Sequence, residues 1–365
     1  MKPPSRLRAV VCGVTFGQTY LNGLASLPDQ FELAGIVARG SAFAQACARR
    51  YGVPLYTAVE HLPPDIDMAC VVVRSGVVGG AGTLLALSLL ERGIHVIQEQ
   101  PLHHDELSAI LRTSRKNRCQ YRLNGFYPDV EQVARFIQAS RFILGRRRAI
   151  FLDAACSIHV LYPLIDIIAH VLGSLRPWSF AALPVAKADA GPFTCIAGRI
   201  GGVPLTLRVQ NQLDPRDPDN NIHLFHQISL GTEGGTLNLA DSHGQLLWHP
   251  RMHLLRRNDG VIDLSAEHQP LTLPVSSIIG PPAVPSYHEV FNHGWTEAVA
   301  RCLLRFRDAI IAGVQDARSQ QSMLSAARAW GDLGAQLGPP EEVMPPEASP
   351  LAAESIAAQV REPLA

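Results

Sequence analysis

The hydrophobic run GIHVIQ ends in a short corner where several polar and reactive side chains follow one another. Glu99 offers a carboxyl group and Gln100 an amide that cannot titrate, and His103 and His104 come shortly after Pro101. A capped turn would explain such a composition. An acid, an amide and two titratable histidines within six positions also suit the lip of an active site, so the surrounding elements must decide between the two.

The corner follows one of the predicted strands in the first third of the chain. Runs that are apolar on both faces alternate there with helical patterns, as in a sheet covered by helices on both sides. Strands are expected at 7–13, 31–37, 68–73, 94–98 and 119–125, and helices at 17–27, 41–51, 80–92 and 105–117. This alternation predicts an α/β domain with a doubly wound parallel sheet of the Rossmann type.

The turn after the first strand has features of a dinucleotide-binding turn. Gly13, Thr15, Phe16 and Gly17 lie where a strand passes into a helix, which places backbone N–H groups and a helix N-terminus against a pyrophosphate. The GxGxxG pattern is incomplete, because Thr15 and Gln18 stand at its second and third glycine positions. A tight turn without a ligand is the alternative, but the place within a βαβ unit favours a nucleotide.

The end of the second strand indicates which nucleotide. NAD-binding folds carry an acid there for the ribose, whereas this chain has no acid between Glu32 and Glu60. Arg39 and Ser41 could instead bind a 2′-phosphate, so the sequence predicts NADP(H). An exposed loop arginine is the alternative interpretation.

Two further strand ends should also contact the cofactor, because ligands of such sheets bind beyond the carboxyl ends of the strands. One end follows the strand at 68–73 and the other is the corner itself. Their residues are Arg74, Ser75, Gly76, Glu99, Gln100 and Pro101.

After residue 125 the pattern changes to long alternating stretches separated by Gly, Pro and Asp turn signals, with one helical stretch at 159–173. This predicts an α+β domain with a large open mixed or antiparallel sheet. We expect residues 1–124 to bind NADP, residues 125–338 to serve substrate binding and oligomerisation, and residues 339–365 to form a tail.

Composition excludes several classes of protein. Lys+Arg and Asp+Glu are both 32, so no basic excess favours nucleic acid, and the run at 146–148 is interpreted as a solvated corner. The seven cysteines have neither zinc nor disulfide spacing, and no metal is expected. The N-terminus lacks a signal-peptide pattern and polar residues interrupt the longest apolar stretch, so we expect a cytoplasmic protein without a membrane span.

A strand-end E-x-P after a nucleotide-binding half resembles the EKP motif of the Gfo/Idh/MocA oxidoreductases. The similarity extends through the segments 52–56, 65–69, 91–96 and 124–128. The resemblance implies a lysine where this chain has Gln100. It also implies an H-x-x-D step, but Pro163 stands three residues before Asp166 and His159 lies four residues too early. Ordinary polyol oxidation therefore lacks its expected proton-handling residues.

Three segments, VCGVTFGQTYLNGL, GIHVIQEQPLHHDE and NGFYPDV, resemble the sequences of thiazolinyl imine reductases from siderophore assembly lines of the yersiniabactin and pyochelin type. This resemblance implies that NADPH reduces a thiazoline C=N to a thiazolidine. The substrate would be tethered by phosphopantetheine to a carrier domain of a nonribosomal peptide or polyketide synthetase. A homodimer is expected.

Imine reduction requires hydride at carbon and one proton at nitrogen, but no base for a hydroxyl group. Tyr127 and His103 are the favoured proton donors, with His104 and His159 in reserve and solvent as a further source. Tyr127 could equally be a packing aromatic, and His104 could flank the start of a helix. Further histidines at 223, 226, 243, 249 and 253 are interpreted as sheet-face residues. A sugar or cyclitol oxidoreductase, or a non-enzymatic NADP-binding regulator, are the alternative functions.

Overall fold

The structure is a computed structural model that describes residues 6–73, 80–184, 191–217, 220–265 and 269–360. Its first sheet contains β1 (Leu7–Cys12), β2 (Phe31–Val37), β3 (Leu55–Tyr56), β4 (Met68–Val71), β5 (His95–Glu99) and β6 (Tyr121–Asn124). The strands are parallel, in the order β3-β2-β1-β4-β5-β6. The predicted doubly wound Rossmann sheet is confirmed.

Helices follow these strands at the four predicted places: α1 (Gly17–Ala25), α2 (Ala42–Tyr51), α3 (Ala81–Glu91) and α4 (His104–Lys116). A further helix, α5 (Glu131–Leu144), leads from β6 to the second sheet. The boundaries follow from local chemistry. The Ser41 hydroxyl caps α2 by accepting a hydrogen bond from Ala44 N, and Gly52 ends that helix in the left-handed conformation. Asp105 and Glu106 open α4, where they favour the positive end of the helix dipole.

The second sheet has eight strands: β7 (Ala149–Ser157), β8 (Ser179–Ala182), β9 (Phe193–Ile200), β10 (Val203–Gln210), β12 (His226–Thr232), β13 (Gly235–Leu239), β14 (Leu246–Pro250) and β15 (Ser277–Ile278). Their order is β15-β14-β13-β12-β7-β10-β9-β8. The pair β7–β10 is parallel and the other pairs are antiparallel. The predicted mixed sheet is confirmed. A separate small pair joins β11 (Gln212–Leu213) to β16 (Glu341–Glu342).

One alternating stretch is shorter as a strand than its sequence indicates. The pattern of residues 245–257 continues past Pro250, but β14 ends there. Its partner β13 begins opposite Pro250, at Gly235, so β13 offers no pairing partner to the residues beyond Arg251. They form an exposed excursion in which Arg256 and Ile262 make an isolated bridge.

The remaining helices are α6 (Leu161–Leu172), α7 (Gln269–Thr272), α8 (Tyr287–Glu289), α9 (Trp295–Ala312), α10 (Ala317–Leu337) and α11 (Ala353–Ala357). Helix α9 returns to the first sheet and packs closely on α1, because Gly23 leaves room for Val299: a Cβ at Gly23 would lie 2.8 Å from Val299 Cγ1. Within the described part of the chain, no helix combines the length and the apolar composition needed to span a bilayer.

Candidate functional site

The turn between β1 and α1 has the geometry that a dinucleotide needs. It lies beside β4, where the strand order reverses and ligands of such sheets bind. Gly13 has φ +96°, and a Cβ there would lie 2.3 Å from the carbonyl oxygen of Val72. The backbone can therefore turn sharply between the two strands and bring the N-terminus of α1 to the crevice. Gly17 is the first residue of that helix. These residues fit a pyrophosphate.

The two residues between these glycines point in different directions. Thr15 is exposed at the turn, where it can meet a ligand. The Phe16 ring instead packs edge-on against Phe126 and Trp295, with ring centroids 5.5 and 5.6 Å away. Phe16 thus joins the cofactor turn to the opposite side of the crevice.

Arg39 and Ser41 both lie beyond the carboxyl end of β2 and are exposed. Ser41 Oγ accepts the capping hydrogen bond of α2 at 3.2 Å, and its O–H remains able to donate. A 2′-phosphate at this strand end would meet one guanidinium, one hydroxyl donor and no carboxylate. Arg74, Ser75 and Gly76, the third predicted group, lie outside the described residues.

Glu99, the last residue of β5, is half-buried and belongs to a polar cluster with the buried Tyr20 and Asn124. Tyr20 donates a hydrogen bond to Glu99 Oε2, and the Asn124 amide lies 3.4 Å from the same oxygen. Asn124 Nδ2 also donates to the Tyr20 hydroxyl at 2.5 Å. Burial raises the pKa of Glu99 to about 8, although these hydrogen bonds act in the opposite direction. The crevice therefore contains a carboxyl group that is mostly protonated at neutral pH.

Gln100 and His103 leave polar atoms available beside this cluster. Gln100 Oε1 and His103 Nε2 are buried and have no hydrogen-bond partner among the described residues. The His103 ring packs against the ring of Trp330 on α10, with ring centroids 5.1 Å apart, so His103 lies on the α10 side of the crevice. Pro101 follows Gln100 through a cis peptide bond. Unpaired polar atoms at a strand end are the groups that a substrate or cofactor can satisfy.

His104 takes a different position from its neighbour. It is the first residue of α4, and its Nδ1 lies 3.1 Å from Asp105 Oδ1. The carboxylate of Asp105 is fully exposed. The structure therefore places His104 at the helix start, as the alternative interpretation of the sequence had it.

Tyr127 is presented by a strained turn. Its N–H donates to Gly125 O at 2.7 Å, closing a γ-turn around Phe126, whose φ of +59° is rare for a residue with a side chain. A Cβ on Gly125 would lie 2.0 Å from Asp166 Oδ2, so only glycine fits there. The turn directs the Tyr127 ring against His226, with centroids 4.7 Å apart.

The Tyr127 phenol remains protonated over the working pH range. Burial raises its pKa above the usual value, and the nearby carboxyl groups of Asp241 and Glu99 act in the same direction. It can therefore donate a hydrogen bond or a proton, but it cannot serve as a base near neutral pH.

Asp166, the residue of the H-x-x-D step that this chain retains, has a structural role. Asp166 supports the turn below Gly125, and His170 Nδ1 lies 3.0 Å from the Asp166 carbonyl oxygen. Burial tends to lower the pKa of His170, but its interactions with Asp166 outweigh this and raise it. Both residues line a cavity of about 60 Å³ beside the turn. His159 lies between β7 and α6, with Nδ1 2.8 Å from Ser157 Oγ.

A second wall of the site was not identified from the sequence. It consists of residues from three distant segments, namely Phe225, His226, Asp241, His243 and Trp295. Trp295 Nε1 donates to His243 Nε2 at 3.4 Å, and the Phe225 ring lies 5.4 Å from that of His243. His226 lies on a strand, as predicted, and its ring contacts Tyr127. The same prediction was wrong for His243, which lies in the turn between β13 and β14.

The two histidines of this wall are neutral. Burial lowers the pKa of His226 and of His243 to about 4. His226 Nε2 lies 2.8 Å from the Val160 carbonyl, which can only accept, so Nε2 carries the proton and Nδ1 accepts from Ser242. The wall is therefore uncharged at its two histidines. The available sequence signal for this wall was the alternation of polar residues in β12.

Comparisons with known families agree with this architecture. Residues 7–124 match the model of the Gfo/Idh/MocA oxidoreductases, a family with an NAD-binding Rossmann fold. Residues 147–249 match the model of the C-terminal domain of Irp3-like thiazolinyl imine reductases. No curated protein matches the sequence.

Solved structures of low sequence identity share the fold. Levoglucosan dehydrogenase, in complex with NADH and levoglucosan, gives a TM-score of 0.65 at 13% identity, over 91% of this chain and 97% of that chain. UDP-N-acetylglucosamine 3-dehydrogenase from Acidithiobacillus ferrooxidans gives 0.62 at 12% identity, over 91% and 99%. An Agrobacterium radiobacter oxidoreductase solved with NAD+, L-tartaric acid and magnesium gives 0.64 at 14%, over 91% and 96%.

Proposed function

This chain is an oxidoreductase of the Gfo/Idh/MocA family with an Irp3-like C-terminal domain, and from that premise we propose that it reduces a thiazoline C=N bond to a thiazolidine. The observation that carries the proposal is Gln100. A titratable base is absent from that position, and an amide oxygen without a partner among the described residues takes its place. Reduction of an imine needs no base to remove a hydroxyl proton, whereas oxidation of an alcohol does.

NADPH is the proposed hydride donor. Arg39 and Ser41 favour a 2′-phosphate through charge-assisted hydrogen bonding, and no acid follows β2 to select a free ribose hydroxyl. The turn at Gly13 and the N-terminus of α1 would hold the pyrophosphate. When bound, the cofactor supplies hydride to the imine carbon.

The residues of the chain then have to supply one proton and orient the ring. Tyr127 is proposed as the donor, because its phenol is protonated, fixed by the Phe126 turn and shared by both walls. His103 is the second candidate through its unpartnered Nε2. Phe16, Phe126 and Trp295 surround the crevice with aromatic edges that exclude water and suit a flat heterocycle.

The partner proposed for this reaction is a carrier domain of a nonribosomal peptide or polyketide synthetase, with the substrate on its phosphopantetheine arm. Support comes from the Irp3-like domain alone. A homodimer is also proposed, because the outer face of the second sheet is open: Thr206 and Arg208 of β10 and Gln227 of β12 are exposed on it.

The deciding experiment follows NADPH oxidation with a small thiazoline, the same thiazoline on a carrier domain, and a panel of free sugars. We expect consumption with the thiazolines, faster at equal concentration for the carrier-bound one, and none with sugars. Oxidation or reduction of sugars without turnover of thiazolines would contradict the proposal. NADH in place of NADPH tests the cofactor separately.

A further inference from the structure

The carboxyl group of Glu99 has an asymmetric environment. Tyr20 donates to Oε2 and the Asn124 amide approaches the same oxygen. Phe126 N–H, 3.1 Å from Asn124 Oδ1, fixes the orientation of this amide, so its NH₂ group faces Glu99. Both donors therefore meet one oxygen, and Oε1 remains able to carry a proton.

Among the residues that the structure describes, the titratable groups that act on Glu99 from the surrounding elements are neutral. They are Tyr20 of α1, Tyr127 of the γ-turn and Cys302 of α9. Burial raises the pKa of each of them, to about 11 for Cys302. Arg122 of β6 acts on Cys302 and Tyr20. With no cation as direct partner within the described ranges, a desolvated carboxyl group favours its neutral form, in agreement with the pKa of about 8.

We propose that Glu99 stores a proton while the nicotinamide is reduced and releases it when the nicotinamide ring becomes positively charged. Glu99 ends the strand that meets the cofactor crevice, so a cation formed there would act on it at short range in a medium of low dielectric constant. A neutral ring favours the carboxylic acid, and a cationic ring favours the carboxylate.

Atoms and charges balance in this reaction when Glu99 supplies the proton. This step rests on the proposed function, because it takes an imine as the hydride acceptor. Hydride carries two electrons to the imine carbon, and the imine nitrogen gains one proton. The O–H bond of Glu99 breaks and its proton passes to that nitrogen through the proton donor of the site. The ring gains one positive charge as Glu99 gains one negative charge, so the crevice keeps its net charge.

The test needs no substrate. Calorimetric titrations with NADP+ and NADPH, each in two buffers of different ionisation enthalpy, give the number of protons released on binding. We expect NADP+ to release more protons than NADPH, by about 0.9 at pH 7 for a pKa of about 8. The phosphates are common to both ligands, so their protonation cancels in the difference. NAD+ and NADH serve if the enzyme prefers them.

Glu99→Gln should abolish this difference while both ligands still bind. Equal proton release for the two ligands in the unaltered enzyme, or an unchanged difference in the variant, would overturn the proposal. A chain that shows the difference but leaves thiazolines unreduced would instead refute the proposed function alone.

A second variant keeps the test informative if Glu99→Gln does not fold. The Tyr20 hydrogen bond lowers the pKa of Glu99, so Tyr20→Phe should move the pH at which the proton difference is half-maximal upward. Tyr121→Phe is the matched control, because it removes a buried hydroxyl that donates to Gln98 Oε1 at 3.0 Å. A shift of the same size in both variants would contradict the assignment to Glu99.

Discussion

The two walls of the crevice respond to pH in opposite directions. On the Rossmann side, burial raises the pKa of Glu99 to about 8, so the folded state binds a proton that the unfolded chain releases above its usual pKa of 4.5. On the side of the second sheet, burial lowers the pKa of His226 and His243 to about 4, and the folded state excludes protons that the unfolded chain binds below 6.5.

The same physical cause, desolvation, therefore gives one wall whose carboxyl group Glu99 can exchange a proton near neutrality and one whose two histidines cannot. On the proposed function, this difference places proton chemistry on the Rossmann side, and the aromatic side, with its two neutral histidines beside the carboxyl group of Asp241, would recognise the substrate ring. Tyr127 lies between them, since it contacts His226 and senses the charge of Glu99.

The largest effect is expected from Gly13→Ala. The added Cβ would lie 2.3 Å from the carbonyl oxygen of Val72, and the alanine would also have to adopt a φ of +96°. We expect a loss of about 4 kcal/mol or more in the free energy of unfolding, and no cofactor binding. Gly52→Ala is the control: it shares a positive φ but meets no atom within 4 Å. It should cost only about 1 kcal/mol in urea denaturation.

Acidification separates the two walls. Between pH 7 and pH 5 the unfolded chain protonates His226 and His243, which the folded state keeps neutral. The free energy of unfolding should therefore fall by about 2 kcal/mol for each of these histidines. Glu99 opposes this loss, because protonation of the folded state at a pKa of about 8 adds about 2.5 kcal/mol over the same interval. Urea titrations should therefore show a much steeper fall in Glu99→Gln. Parallel curves for the variant and the unaltered chain would refute the comparison.

Tyr127→Phe tests the residue that connects the walls. If the phenol donates the proton, kcat for thiazoline reduction should fall by about 10²-fold, with the melting temperature nearly unchanged. Tyr121→Phe is a suitable control and should retain kcat. A kcat loss confined to His103→Ala would transfer the role to the histidine.

The smallest effect concerns the cofactor end of the Rossmann wall. Arg39→Ala should weaken NADPH binding by about tenfold, because one charge-assisted contact with the 2′-phosphate is lost, and should leave NADH binding unchanged. Arg49→Ala, which removes an exposed charge from the end of α2, should change neither. Equal losses for the two cofactors after Arg39→Ala would show that the arginine does not read the phosphate.

Local pattern was sufficient for five of the six strands of the Rossmann sheet, and only the two-residue β3 (Leu55–Tyr56) lies outside the predicted ranges. The apolar strands and the Gly13 turn are consecutive in the chain, so their spacing carries the fold and the position of the cofactor crevice. The end of β14 could not be read in this way, because the alternation in residues 245–257 continues where the partner strand does not.

The sequence by itself therefore determined a two-sheet oxidoreductase with a nucleotide crevice and an amide, Gln100, at the end of the strand that meets it. Tertiary structure alone decided which side chains form the opposite wall, since Phe225, His243 and Trp295 come from segments that no local period relates. It also decided which groups titrate. A carboxyl or imidazole group acquires its pKa from the burial, hydrogen bonds and charges around it, and for Glu99, His226 and His243 those neighbours come together only when both sheets fold and α9 closes on α1.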